Sequence, residues 1–357
     1  MNQIKHRETT KKIKVGSLEI GGGAPISVQS MTKTDTANID ATVKQINDLA
    51  KAGCHIIRCA IPNKEAALAI KEIKKQINIP LVADIHFNHE YAVLAAESGA
   101  DKLRINPGNI GEADKIRAVV EAAKTRGIPI RVGVNSGSLE TKIRKKYMGH
   151  ITADGLVQSA LNNVKILEDF GFNDIVISIK ATSVPLLIKA HQLIAKKTHY
   201  PLHVGLTESG IPKIGTIRSS AGIGAILAQG IGDTIRVSLT GDPLEEVRVG
   251  YEILKALQLT FHGVTVIACP TCGRTDIDVV SIATEIEEQT RHIKQPLTVA
   301  IMGCEVNGPG EAADADVGLA GGMGVGLIFR EGQVVRKVPE AEMVEALLDE
   351  IESMAIK

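Results

Sequence analysis

Three cysteines late in the chain have the spacing of a metal or cluster site. Cys269-Pro-Thr-Cys272 sets two thiolates three positions apart, so one turn can present both sulfurs to the same centre. Cys304 follows 32 residues after Cys272, directly behind an apolar stretch, in MGCEVNGPGE. Three thiolates are one ligand short of a four-iron cluster or a closed tetrahedral zinc site. Glu305, Glu311 and Asp314 lie close enough in sequence to supply the missing ligand. An iron–sulfur cluster, a zinc ion and a redox dithiol are all open readings. Structural zinc usually has paired knuckles of Cys or His, and here the second knuckle is missing and His292 falls in a helical pattern. A redox Cys-X-X-Cys usually opens a helix in a thioredoxin-like unit, which this context does not resemble. The cluster is therefore the preferred reading. Cys54 and Cys59 read as small buried apolar residues.

A second set of chemistry-bearing residues sits at the ends of short β-branched runs. Arg58, Asp84 with His86, Arg104 with Asn106, Arg131 with Asn135, Ser178 with Lys180, Thr207 with Glu208, and Arg236 with Ser238 each close one run. Residues two apart on a strand share a face. Five cations on five strand ends (Arg58, Arg104, Arg131, Lys180, Arg236) against Asp84 and Glu208 exceed what structural ion pairing requires. Guanidinium forks match phosphate oxygens, so the arrangement predicts a pocket for a strongly anionic small molecule, a diphosphate being the natural choice.

The elements that would position these residues follow one rhythm from about residue 24 to 258. Runs at 25–30, 56–61, 81–86, 102–106, 130–135, 175–180, 202–207 and 234–240 alternate with amphipathic stretches, several ending in Gly. Eight strand–helix repeats predict an α/β fold with an N-terminal (β/α)8 TIM-type barrel, whose strand ends form the active face. A doubly wound sheet is the structural rival, but GIGAIL (222–227) and GGMGVG (321–326) match its glycine fingerprint only loosely. The segment 136–150, rich in Lys and Arg, reads as a long loop, either a solvated surface or a lid over an anion. Near residue 260 the rhythm stops. A helix at about 278–292, a strand at 297–302, a Gly-rich loop, a strand pair around Glu331-Gly332 and a helix at about 340–353 predict a small α+β domain. The division expected is 1–260 for the barrel and 261–357 for the iron–sulfur domain, with the boundary at 259–264.

Composition excludes several classes. Lys+Arg and Asp+Glu both number 41 among 357 residues, so no global field favours nucleic acid or a membrane surface. Aromatics are 3% with no Trp, too few for a base-stacking platform. No apolar run reaches the length of a membrane span and the polar, basic N-terminus is no signal peptide. Five sparse cysteines suit a reducing cytoplasm rather than a disulfide framework.

CPTC, MGCEVNGPGEAADADVG and KLRINPGN, with SVQSMTKTDT (27–36) and GLIFREGQVVRKV (326–338), resemble the 4-hydroxy-3-methylbut-2-enyl diphosphate synthase family in its bacterial two-domain form. The likeness covers nearly the whole chain. It implies one 4Fe-4S cluster per chain, held by Cys269, Cys272, Cys304 and Glu311. It implies two-electron reduction of 2-C-methyl-D-erythritol 2,4-cyclodiphosphate in the methylerythritol phosphate route to isoprenoids. Arg58, Arg104, Arg131, Lys180, Arg236 and Ser238 would hold the phosphates. Asn135, Thr207 and Glu208 would lie near the C3 hydroxyl, with Glu208 its proton donor. Asp84, His86 and Asn106 would either serve the substrate or orient the arginines. Flavodoxin or ferredoxin would supply electrons, and the protein would be a head-to-tail homodimer.

Overall fold

The structure, a computed structural model, describes residues 6–304 and 314–355. It divides into two compact units, Met1–Thr260 and Phe261–Lys357.

In the first unit a hairpin of β1 (Ile13–Val15) and β2 (Leu18–Ile20) precedes eight parallel strands. These are β3 (Ser27–Met31), β4 (Ile56–Ala60), β5 (Leu81–Asp84), β6 (Lys102–Ile105), β7 (Ile130–Asn135), β8 (Ile175–Lys180), β9 (Leu202–Val204) and β10 (Thr234–Ile235). They close into a barrel in chain order, with β10 beside β3. Helices follow the strands, and their starts are written in the sequence. Asn38, Asn63, Asn88, Thr152, Ser183 and Asp242 each accept a hydrogen bond from a backbone N–H of the helix they begin. Outward strand residues such as Val28, Ile57, Leu103, Val132 and Ile177 pack against the helices in one core. The bottom of the barrel is stoppered. Ile13, Val15 and Ile20 of the hairpin bury against Ile56, Val82 and Val176. Nothing in the strand–helix rhythm announces that hairpin.

Three local expectations need correction. The last two strands are much shorter than the runs at 202–207 and 234–240. Their pairing stops where Gly205 lies so close to the Arg236 carbonyl that a Cβ would stand 2.3 Å from its oxygen, and the chain then turns at Glu208, whose φ is 54°. The segment 136–150 is not simply a loop: it contains the helix Thr141–Lys146. Leu139 and Ile143 bury four residues apart. Glu140 accepts hydrogen bonds from Ser159 Oγ and from Asn163 Nδ2 at 3.1 Å, which fixes the basic helix to the body of the barrel. The Gly-rich stretch 321–326 is a hairpin turn, described next.

The second unit is a mixed sheet in the order β11 (Val264–Ala268), β12 (Leu297–Met302), β13 (Val317–Gly322), β14 (Val325–Arg330), β15 (Gln333–Pro339). The first three are parallel and the last three antiparallel. Both connecting turns of the antiparallel part place two successive residues at positive φ, Met323 and Gly324, then Glu331 and Gly332. That backbone matches the twist of a tight hairpin. GGMGVG therefore ends one strand and begins the next, and is no nucleotide fingerprint. The helices Val279–Gln289 and Met343–Ala355 cover the sheet through Ile282, Ile286, Leu347 and Ile351. Among the described residues no helix is long and apolar enough to cross a membrane.

Candidate active site

The barrel registers determine which side chains meet inside. Adjacent strands are staggered, so inward residues of alternate strands reach the same height and fill the barrel in layers of four. Following the observed pairing round the barrel, Gln29, Val82, Arg131 and His203 form one layer. Continuing the alternation toward the C-terminal mouth, Arg58, Arg104, Ser178 and Arg236 form the next, then Met31, Asp84, Gly133 and Gly205. Lys180 and Ser238 reach the layer above, with Ala60 and Asn106. Below Arg131 lie Ile56, Lys102, Val176 and Thr234. Where an ordinary barrel carries Val, Ile and Leu, this one carries a column of cations.

Two buried carboxylates offset part of that charge. Asp84 accepts from Arg104 Nη1 at 3.1 Å, and Arg58 Nε stands 3.7 Å away. Burial alone would raise the Asp84 carboxyl, but Arg58, the His86 hydrogen bond and Arg104 together hold it well below the usual carboxylate range. Glu246, on the helix Pro243–Ala256 outside the barrel, accepts from Arg236 Nε and Nη2 at 3.2 and 3.0 Å, from Ser30 Oγ and from the Leu239 N–H. Arg58 rests its guanidinium on the Met31 sulfur, a weak acceptor, and burial lowers it to about 10. Arg131 is fully buried, and none of its three nitrogens has a hydrogen-bond partner among the described residues. Burial and the neighbouring guanidiniums press it well below its ordinary value, and Lys180 likewise. A buried cation without acceptors is costly unless a ligand supplies them.

Sequence reading brought most of this set together. Arg58, Arg104, Arg131, Lys180, Arg236 and Asp84 share the interior, Ser238 accepts from Arg236, and His86 lies against Arg104 and Asp84. Asn135 and Thr207 are half-buried at the mouth and Glu208 is exposed. Glu208 holds a left-handed backbone and accepts from Thr182 Oγ1 at 3.4 Å, a strain of the kind found at functional positions. Among the described residues Asn106 makes no hydrogen bond to an arginine. Its side chain accepts from the Gly108 N–H and begins the short helix Pro107–Ile110. Lys102, His203, Gln29, Gly133 and Glu246 escaped notice. Lys102 has the same strand parity as Arg104, which was signal enough. Gly133 leaves room for the Arg104 guanidinium: a Cβ there would stand 2.5 Å from Nε.

In the second unit the cysteines gather at one end of the sheet. β11 and β12 are parallel neighbours, so Cys269 and Cys304 follow adjacent strand ends. Gly303 joins them: its N–H donates to Cys269 Sγ at 3.2 Å and its carbonyl accepts from the Asp276 N–H at 2.9 Å. The loop between holds Cys272, whose N–H donates to Thr275 Oγ1. A hydrogen bond from the Arg274 backbone, with its side chain and Thr275, lowers the Cys272 thiol. Exposed or half-exposed thiols with N–H donors aimed at sulfur suit thiolate ligation of a cluster. Among the described residues no three Cys, His, Asp or Glu side chains gather closely enough for a single metal ion. Asp314 is exposed; Glu305 and Glu311 lie outside the described residues.

Comparison with known proteins gives this arrangement a family. The GcpE TIM-barrel domain matches residues 10–251 and the GcpE protein C-terminal domain matches residues 265–353. The chain belongs to the GcpE family. Its relatives include proteins named 4-hydroxy-3-methylbut-2-en-1-yl diphosphate synthase (flavodoxin). That of Caldanaerobacter subterraneus is 59% identical, over 98% of this chain and 99% of its own. That of Bacillus subtilis is 56% identical, over 99% and 94%. Among solved structures, dihydropteroate synthase from Vibrio fischeri covers 70% of this chain and 99% of its own at TM-score 0.51 and 15% identity, a likeness of barrel fold alone. This GcpE chain carries the cationic column in its barrel match and the three cysteines in its C-terminal match.

Proposed function

We propose that this chain is a 4-hydroxy-3-methylbut-2-enyl diphosphate synthase: it reduces 2-C-methyl-D-erythritol 2,4-cyclodiphosphate by two electrons, opening the ring at C2–O and expelling the C3 hydroxyl as water. The full-length relatives of that name support the activity. The observation that carries it to particular residues is the buried, unpartnered guanidinium of Arg131 inside a column of cations.

Arg131, Arg104, Arg58, Arg236 and Lys180, with the Ser238 hydroxyl, bind the two phosphates and fix the sugar-derived carbons at the mouth. Asp84 and Glu246 orient Arg104 and Arg236, so forks face the ligand without reorganising. Asn135 and Thr207 hold the C3 hydroxyl, and Glu208 gives it the proton with which it leaves as water. Cys269, Cys272 and Cys304, with Glu311 as fourth ligand, would hold one 4Fe-4S cluster, a group that would provide one-electron redox chemistry at this place. A carboxylate is a harder and more exchangeable ligand than a thiolate. Flavodoxin is the electron donor that the relatives' names support, with ferredoxin as alternative, and the working unit is a head-to-tail homodimer.

Incubating the anaerobically reconstituted chain with reduced flavodoxin and the cyclodiphosphate tests the activity. Mass spectrometry should find the open-chain allylic diphosphate, with one equivalent formed per two electrons consumed. Recovery of intact cyclodiphosphate by a chain carrying its full iron and sulfide complement would sink the proposal. Light scattering at the mass of one chain would remove the dimer alone.

A further inference from the structure

We propose that Lys102 is the proton-linked base of the anion pocket: one layer beneath Arg131, it is a neutral amine before the cyclodiphosphate binds and takes one proton from solvent as the ligand enters. The inference rests on the functional reading above and adds to it a residue and a proton.

Position carries the argument. Lys102 points into the barrel from β6, is fully buried, and its Nζ has no hydrogen-bond partner among the described residues. The groups facing it come from every strand and from the stopper. β3 offers Gln29, β4 Ile56 and Arg58, β5 Val82, β7 Arg131, β8 Val176, β9 His203 and β10 Thr234, with Ile13, Val15 and Ile20 beneath. None is a carboxylate. Asp84 lies nearer the mouth and is engaged by Arg104 and Arg58, and Glu246 by Arg236. An ammonium at this depth would have lost its hydration and faced two guanidiniums, Arg131 first and then Arg58, with nothing to offset them. Those same causes press its basicity well below the ordinary lysine value. His203 is excluded as a cation in the same way, and its Nδ1 is already paired with Thr234 Oγ1 at 2.6 Å.

A neutral amine has a lone pair, so Lys102 can accept a hydrogen bond from the guanidinium in the layer above and hold it toward the mouth. Two negative charges arriving at Arg131 reverse the local field and favour the ammonium. The balance is simple: the amine and a solvent proton become an ammonium, and no bond in the ligand changes. The ligand contributes no proton of its own. Each phosphorus of the cyclic diphosphate bears one ester and one anhydride bond, leaving a single strongly acidic oxygen that is ionised throughout the neutral range.

Calorimetric titration of the oxidised, cluster-loaded enzyme with the cyclodiphosphate, without reductant and in two buffers of different ionisation enthalpy, counts the protons. We expect uptake approaching one proton per chain at mildly alkaline pH, with the dissociation constant rising up to about tenfold per pH unit. Lys102→Met should abolish the uptake and flatten the pH dependence, whereas His203→Gln should retain both. Binding without uptake in the unsubstituted enzyme overturns the inference and leaves the function standing. Uptake persisting in Lys102→Met overturns it too, since Lys180 at the mouth or His203 would then be the acceptor. Failure to bind the cyclodiphosphate at all removes the functional reading and this inference with it.

Discussion

At the scale of single residues, this barrel buries charge where apolar side chains would be more stable, a cost that the proposed anion pocket accounts for. Arg131 occupies a layer that Val or Ile usually fills and has no hydrogen-bond partner there. Replacing an unpaired buried charge by an apolar side chain of similar length should stabilise the fold. Arg131→Met should therefore raise the melting temperature while raising KM by about 100-fold, the loss of two charge-assisted hydrogen bonds of about 1.5 kcal/mol each. An unchanged KM would place the phosphates elsewhere. Asp84→Asn should act in the opposite sense on stability. It leaves Arg104 and Arg58 with a neutral neighbour, at about 3–5 kcal/mol by analogy with broken buried pairs. The folded carboxyl is depressed, so its contribution is complete above the unfolded value near pH 4 and is lost as pH falls below it. The gap between Asp84→Asn and the parent in urea denaturation should then narrow by about 1.4 kcal/mol per pH unit below about pH 4. A constant gap would mean that the carboxylate charge is not what holds the arginines. Arg58, Arg104, Arg131 and Arg236 were legible in the sequence because charge at a strand end is conspicuous. Glu246 was not, because nothing in PLEEV distinguishes a carboxylate that turns inward through a barrel wall from one that faces water.

At the scale of elements, what could be read was periodicity, and what could not was close approach. The alternation of β-branched runs with capped amphipathic stretches was enough for eight strands and their helices. The truncation of β9 and β10 depends on backbone contacts at Gly205, the basic helix at 141–146 on the buried pair Leu139 and Ile143, and the stopper on two three-residue strands too short to register as periodic. Gly303 belongs to the same class. In sequence it belongs to the motif around Cys304, but its place is steric. A Cβ there would stand 2.7 Å from Thr275 Cγ2, 2.9 Å from Val279 Cγ2 and 3.3 Å from Cys269 Sγ. Both neighbours are β-branched and stiff, so the loop bearing Cys269 and Cys272 must shift. Gly303→Ala should consequently lose most of its iron on anaerobic reconstitution while the melting of the barrel is unchanged. Retention of a full iron complement would show that the loop yields without cost to the ligands.

At the scale of the whole molecule, the chain divides its tasks between two units with separate cores. Among the described residues, the apolar clusters of the first, with the side chains packed against them, run no further than Leu259, and those of the second begin at Val264. The residues proposed for the anion pocket all belong to the first and the three cysteines to the second. Because the residues proposed for ligand recognition and the three cysteines proposed for reduction lie in different units, the two tasks should be separable in the full-length chain. Cys304→Ser removes one thiolate from the end of the second sheet without adding volume. It should abolish iron retention and reduction of the cyclodiphosphate. Calorimetry should still show the cyclodiphosphate binding, weakened by no more than about tenfold, or 1.4 kcal/mol, because the forks proposed to hold its phosphates are untouched. Loss of binding together with the iron, in a protein whose barrel still melts at its usual temperature, would mean that the ligand is held chiefly by the metal centre and that the cationic column only guides it there.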